Sequence, residues 1–177
     1  MSRILLTIDM QNDFVDAALG TKEAVAIVPA VCEEIRKDYD HVICTRDTHH
    51  EDYLDTNEGK HLPVVHCIKD SEGWMLNEEV EKALNEKGSF QIIDKPTFGS
   101  EELVSVLKEQ DEKEPIESIT LIGLCTDICV VTNALLVKTA FPEIPVIVKA
   151  DCCAGVTPES HEAALKTMQM CQIEIIR

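Results

Sequence analysis

The sequence predicts an α/β fold, a three-layer αβα arrangement around a mainly parallel six-stranded sheet. Two observations point there. Short β-branched apolar runs alternate along the chain with longer runs whose apolar residues recur at helical spacing. That alternation implies right-handed crossovers, with helices covering both faces of the sheet. The length, 177 residues, suits one sizeable core and is short for two, so residues 1–177 are expected to form a single domain.

Arg3–Ile8 is an apolar run ending at Asp9, and Met10-Gln-Asn-Asp-Phe14 reads as a polar loop opening off that first strand. Lys22–Lys37 sets Ala24, Val25, Ile27, Val28, Val31 and Ile35 on a broad helical face, with Pro29 marking a kink or a first turn. His41–Thr45 is the second strand. Residues 46–76 are polar and aperiodic, and a loop that long in a compact domain is usually functional. Glu78–Lys87 is a short amphipathic helix, Ser89–Lys95 a strand, Ser100–Gln110 a helix and Asp111–Pro115 a charged connector. From Ile119 a fourth strand meets Gly123. Thr126 or Asp127 is the expected N-cap of the helix that runs on through Val130–Leu136. Pro145–Asp151 is a fifth strand. Thr157-Pro158-Glu159 starts a helix reaching about Cys171, and Ile173–Ile176 closes the sheet.

With 33 acidic residues against 16 Lys and Arg, the formal charge of −17 disfavours nucleic acid and anionic membranes as partners. The N-terminal apolar run is too short for a signal peptide, and nowhere do about 18 apolar residues run together, so a cytoplasmic protein is expected. Eight cysteines in a chain of this kind read as thiols, most of them core filler. Cys125 and Cys129 lack the CxxC spacing of a zinc or redox site.

Cys129 falls in the first turn of a helix, where unpaired N–H groups and the positive dipole end favour an anion, so a lowered thiol pKa is expected there. In a parallel sheet ligands bind beyond the carboxyl ends of the strands. Asp9, Asp47, Lys95 and Cys129 all fall at or just past such ends. Each alone has an ordinary explanation: a strand-end charge, or a small buried hydrophobe. Together they supply a nucleophile, a carboxylate to carry its proton and a cation to hold that carboxylate.

Ile8-Asp9-Met-Gln-Asn-Asp13-Phe14, Lys95-Pro-Thr-Phe-Gly-Ser100 and Gly123-Leu-Cys-Thr-Asp-Ile-Cys129-Val resemble the three signature segments of the isochorismatase-like cysteine hydrolases, the superfamily that includes nicotinamidases. The resemblance implies a Rossmann-like fold and a catalytic triad of Asp9, Lys95 and Cys129. It also implies a cis peptide at Leu124–Cys125, with backbone N–H groups of Cys125 and Cys129 facing an oxyanion, Phe14 as an aromatic wall of the substrate site, and a homo-oligomer. Thr45-Arg-Asp47-Thr-His49 and Pro63-Val-Val-His66 resemble the nicotinamidase segments that bind a divalent metal. They imply Asp47, His49 and His66 as ligands, a donor set suited first to Zn, with Mn or Fe as alternatives. Two departures stand out. Tyr53 replaces a family histidine, and Leu62-Pro63-Val64 stands where a ring-stacking tryptophan is common, with Trp74 on the other side. The implied reaction is hydrolysis of nicotinamide to nicotinate and ammonia through a thioester. The alternatives are the same chemistry on another small amide or ureido substrate and, from a different class, a non-catalytic binding module on this fold.

Overall fold

The computed structural model describes residues 1–177. Its six strands are β1 (Ser2–Ile8), β2 (His41–Asp47), β3 (Gln91–Lys95), β4 (Ile116–Leu124), β5 (Val146–Ala154) and β6 (Glu174–Ile176). They lie in the order β3-β2-β1-β4-β5-β6, every neighbouring pair parallel. The chain therefore winds outward from β1 to β3, returns to the other side of β1, and winds outward again. The reversal between β1 and β4 opens a crevice at the carboxyl ends of the two central strands.

Both faces of the sheet are covered, which is why the central strands read as nearly continuous apolar runs. Ile4, Leu6 and Ile8 turn to one face, where they meet Leu103 and Leu107 of α5 (Glu101–Lys113), Ala134 and Val137 of α6 (Val131–Ala140), and Leu165 and Met168 of α7 (Pro158–Met170). Leu5 turns to the other with Val42 and Ile122, against Ala24 and Val31 of α2 (Lys22–Ile35) and Val80 and Leu84 of α4 (Glu78–Lys87). Each such side chain, fully buried, contributes roughly 1.5–3 kcal/mol. Two short helices, α1 (Asn12–Val15) and α3 (Asn57–His61), lie on loops at the carboxyl end of the sheet. No helix is long and apolar enough to cross a membrane.

Several boundaries differ from the sequence reading. β2 continues to Asp47, β4 starts at Ile116 and β5 continues through Cys152 and Cys153 to Ala154. Pro29 sits inside α2 and not in its first turn. The segment Asp111–Pro115 is no free connector: α5 runs on to Lys113, and the Asp111 carboxylate accepts the Ile116 N–H at 2.7 Å. That last turn of α5 is solvent-facing and charged, so no apolar period could reveal it. Residues 46–76 hold α3 and a 3-10 turn, Tyr53–Asp55. The eight cysteines are free thiols, six of them buried, with Cys125 half-buried and Cys171 exposed.

At the amino end of the sheet the buried Glu34 carboxylate accepts 2.6 Å hydrogen bonds from Lys37 Nζ and Tyr39 OH. Burial pushes its pKa up, but those two bonds outweigh burial and hold it below the ordinary value of 4.5. Burial, reinforced by Glu34, pushes Tyr39 up to about 12. A carboxyl depressed in the folded state adds stability that is present above its unfolded pKa and lost as pH falls through the folded value. Glu34→Gln should therefore cost ~1–3 kcal/mol in urea titrations at neutral pH, and its gap from the parent protein should narrow as pH falls below the ordinary carboxylate value. A gap independent of pH would show that the charge of Glu34 is not what matters.

Candidate functional site

Asp9, directly after β1, has φ of 47° and is fully buried. For a residue with a Cβ that left-handed geometry costs ~1–2 kcal/mol, and the neighbouring strand holds it. The Asp9 N–H donates to the Thr45 carbonyl at 3.2 Å, and the Thr45 hydroxyl donates to Asp9 Oδ1 at 2.6 Å. The turn aims the other oxygen, Oδ2, at Lys95 Nζ, 2.6 Å away. Lys95 ends β3 opposite Asp47 in the parallel register and is 1% exposed. Its ammonium also lies 3.4 Å from Cys129 Sγ and 3.5 Å from Asp47 Oδ1, and it donates to the Thr97 carbonyl at 3.0 Å. One buried cation thus touches every strand end that the sequence singled out.

The cysteine arrives on a turn built from β4. Gly123 has φ of 117°, and a Cβ there would sit 2.1 Å from the Ile8 carbonyl oxygen, so only glycine lets β4 run this close to β1. The Leu124–Cys125 peptide is cis. Thr126–Val130 then forms a single π turn that leads into α6, with Cys129 inside it. The expected N-cap is corrected here. Cys125 occupies the cap position without a side-chain bond. Thr126 Oγ1 is instead hydrogen-bonded to His161 Nδ1 at 2.7 Å, and the Asp127 carboxylate accepts the Val156 N–H at 3.2 Å. Partners on the β5–α7 loop and in the first turns of α7 have taken the two side chains that local chemistry would use for capping. Asn133, in α6, accepts the Ser100 N–H at 3.0 Å and donates to the carbonyls of Cys129 at 2.8 Å and Phe98 at 3.0 Å. It ties the segment after Lys95 to the cysteine turn.

The lowered thiol pKa expected of Cys129 is also corrected. Burial, and then the charge of Asp9, push it well above the ordinary thiol value, and Lys95 only partly opposes them. Burial raises Asp9 too, against the attraction of Lys95. For Lys95 the carboxylates of Asp9 and Asp47 and the sulfur of Cys129 outweigh burial and keep the ammonium charged. A single cation already paired to a carboxylate cannot also stabilise a second buried anion cheaply. These directions favour a thiol over a thiolate at Cys129, with the Asp9 carboxyl, 2.6 Å from the Lys95 ammonium, as the acceptor at hand for its proton.

On the other side of Lys95 lies a second cluster. Gln11 clips the end of β2 on both sides: its Oε1 accepts the Asp47 N–H at 2.7 Å and its Nε2 donates to the Asp47 carbonyl at 2.8 Å. Asp13 Oδ2 accepts the Cys67 N–H at 2.7 Å, fixing the residue after His66. His66 Nδ1 hydrogen-bonds to the Val64 carbonyl at 2.7 Å, which turns Nε2 toward Asp47. The ligand atoms of Asp47, His49, Glu58 and His66 all lie within 4.8 Å of one another. His49 Nε2 is buried and lacks an aligned hydrogen bond, although Asp47 Oδ2 is 2.9 Å and Glu58 Oε1 3.4 Å away. A buried imidazole nitrogen with no hydrogen-bond partner, facing two carboxylates and a second imidazole, fits a divalent ion of the Zn, Mn or Fe class.

Glu58 is the residue that sequence reasoning missed. It follows Thr56, whose hydroxyl accepts the Gly59 N–H and starts α3, and that Thr-Asn-Glu start was the only local signal. Tyr53, in place of the family histidine, makes no contribution to the donor set. Its ring packs against His49 and His66 at centroid distances of 4.6 and 5.0 Å, and its hydroxyl donates to the Leu62 carbonyl. Trp74 is not a wall of the site: it donates to Thr48 Oγ1 at 2.8 Å and stacks under the Arg46 guanidinium. Leu62 lines the cavity instead, with Phe14, Phe98, Ile128 and Val156, while Cys129 and the Asp47–Glu58–His66 edge form its polar end. The cavity holds about 190 Å³.

A family described as Isochorismatase domain matches residues 3–177. A nicotinamidase of Schizosaccharomyces pombe is 26% identical, over 97% of this chain and 91% of its own length. Among solved structures, a pyrazinamidase of Pyrococcus horikoshii in complex with zinc superposes with a TM-score of 0.80 at 26% identity, covering 100% of this chain and 99% of its own. A nicotinamidase/pyrazinamidase of Bacillus subtilis gives a TM-score of 0.84 at 22% identity, covering 100% of each chain, and that likeness is one of fold.

Proposed function

The chain belongs to the isochorismatase family, and from that premise we propose that it is a single-domain, metal-assisted cysteine amidase that hydrolyses nicotinamide to nicotinate and ammonia. The observation that carries this reading is the Lys95 ammonium, 2.6 Å from Asp9 and 3.4 Å from Cys129 Sγ, beside the Asp47–His49–Glu58–His66 donor set. The names of the similar proteins support an amide as substrate.

In the proposed reaction Asp9 accepts the Cys129 thiol proton as Sγ attacks the amide carbonyl carbon. Proton transfer in the attack itself removes the need for a resting thiolate, in accord with the raised thiol pKa. Backbone N–H groups of Cys125 and Cys129 receive the oxyanion, each donor being worth roughly 3 kcal/mol in such sites. Asp9 then passes its proton to the amide nitrogen, the C–N bond breaks, and ammonia leaves a thioester on Sγ. Water, deprotonated by Asp9, adds to the thioester, the carboxylic acid departs, and the proton returns to sulfur. Lys95 favours the charged form of Asp9 at each return, against its burial. A divalent ion held by Asp47, His49, Glu58 and His66 would supply a Lewis-acidic anchor for a ring nitrogen. Phe14 and Leu62 would hold the ring's faces, excluding water and orienting the carbonyl.

Ammonia release from nicotinamide, with and without EDTA and beside Glu58→Gln, tests the reading. Chelation and the substitution should each raise KM about tenfold or more, change the alkylation rate of Cys129 by less than about threefold, and lower the bound metal found by elemental analysis. No release from metal-loaded protein would remove nicotinamide as the substrate. A second reading, another small amide or ureido compound, then takes its place, favoured by Leu62 in the cavity where a ring-stacking tryptophan would stand and by Trp74 turned away.

A further inference from the structure

We propose that His161 is a positioning residue for the cysteine turn, acting through Thr126, a role that rests on the amidase reading above. Thr126 is fully buried, and His161 Nδ1, at 2.7 Å, is the partner of its hydroxyl. Thr126 follows the Leu124–Cys125 peptide and opens the π turn that carries Cys129. Any rotation of Thr126 therefore moves the backbone N–H groups on one side and the sulfur on the other.

The histidine is itself well anchored. α7 starts with a capping box in which the Thr157 hydroxyl accepts the Ser160 N–H at 3.1 Å and the Ser160 hydroxyl accepts the Thr157 N–H at 3.1 Å, with Pro158 in the first turn. His161 therefore projects from a defined helix start. A Cβ on Gly155 would lie 2.8 Å from the His161 backbone nitrogen, so loop and helix are in close contact. A second tie, the Asp127 carboxylate on the Val156 N–H, joins the same two segments. Gly155 and Val156 also line the cavity. The cavity wall, the start of α7 and the cysteine turn are thus linked as one unit by these two ties. Burial holds the His161 pKa below its ordinary value, against Glu162, Asp127 and Asp151 and with Arg177. The ring is neutral at neutral pH, able to pair with a hydroxyl whichever of the two donates.

The experiment compares His161→Ala, His161→Asn, Thr126→Val and the Thr126→Val/His161→Ala double variant. Asparagine places a polar atom where Nδ1 stood, and valine copies the shape of threonine without its hydroxyl. His161→Ala and Thr126→Val should each lower kcat about tenfold with KM within about twofold. The double variant should fall no further than the lower single, because one interaction is removed in all three. His161→Asn should stay within about threefold of the parent. Alkylation of Cys129 by iodoacetamide should slow in the same order. Losses that multiply in the double variant, an asparagine no better than alanine, or alkylation rates that do not follow the series would overturn the assignment. If the parent protein releases no ammonia from nicotinamide, that substrate is removed, and the alkylation series still decides the role of His161. Thr126→Val, being isosteric, decides it if His161→Ala does not fold.

Discussion

Cys129→Ala should abolish amide hydrolysis, a fall of about 10⁴-fold or more in kcat, with the far-ultraviolet circular dichroism unchanged. Alanine keeps the turn and loses the atom on which the proposed thioester forms, and no other thiol stands beside the Lys95–Asp9 pair. Cys125 shares the cavity, but it lies at the start of the turn and burial pushes its thiol up to about 12. The structural cost is small, because Cys129 is a single buried sulfur at 4% exposure and its removal leaves a cavity of about one methyl group. Asp9→Asn should come close to the same kinetic loss for a different reason. Its amide still fits between Thr45 and Lys95 but cannot accept the thiol proton. Residual activity within about tenfold of the parent in Cys129→Ala would end the cysteine mechanism outright.

Lys95→Met should show the largest loss of stability in the molecule, roughly 3–5 kcal/mol in urea unfolding, together with loss of activity. Its ammonium is the only cation within 4 Å of the fully buried Asp9 and also reaches Asp47. Methionine fills the space and leaves two carboxylates facing each other across a dry site. The double variant Asp9→Asn/Lys95→Met should recover much of that loss, because the uncompensated charge is what costs. A single variant as stable as the parent would show that Asp9 carries its own proton when folded, and the ion pair would have to be withdrawn from the mechanism.

The two predictions rest on different levels of legibility. The strand ends at Asp9, Lys95 and the Cys129 turn could be read from short windows, since each is an apolar run stopping at a charged or capping residue. Boundaries set by local signals, such as Glu78–Lys87 and the Pro158 helix start, agree with the structure. Those set by solvent-facing charge, such as the end of α5, do not, because an exposed turn needs no apolar period.

Taken by itself, the sequence determined the fold class, the order of the six strands and the five longer helices, and the three segments by which the family is known. Each is a matter of near-neighbour pattern: periodicity, turn chemistry and motif spacing. Tertiary structure alone decided that Glu58 joins Asp47, His49 and His66, that Tyr53 and Trp74 pack elsewhere, and that Asn133 ties the lysine segment to the cysteine turn. It also decided that Thr126 serves His161 instead of its own helix, and that burial and Asp9 push the Cys129 thiol up where the helix start alone would lower it. Those outcomes depend on which distant groups arrive within about 4 Å and on how far water is excluded from them, and a hydrogen-bonding side chain or a buried charge is settled by those two quantities.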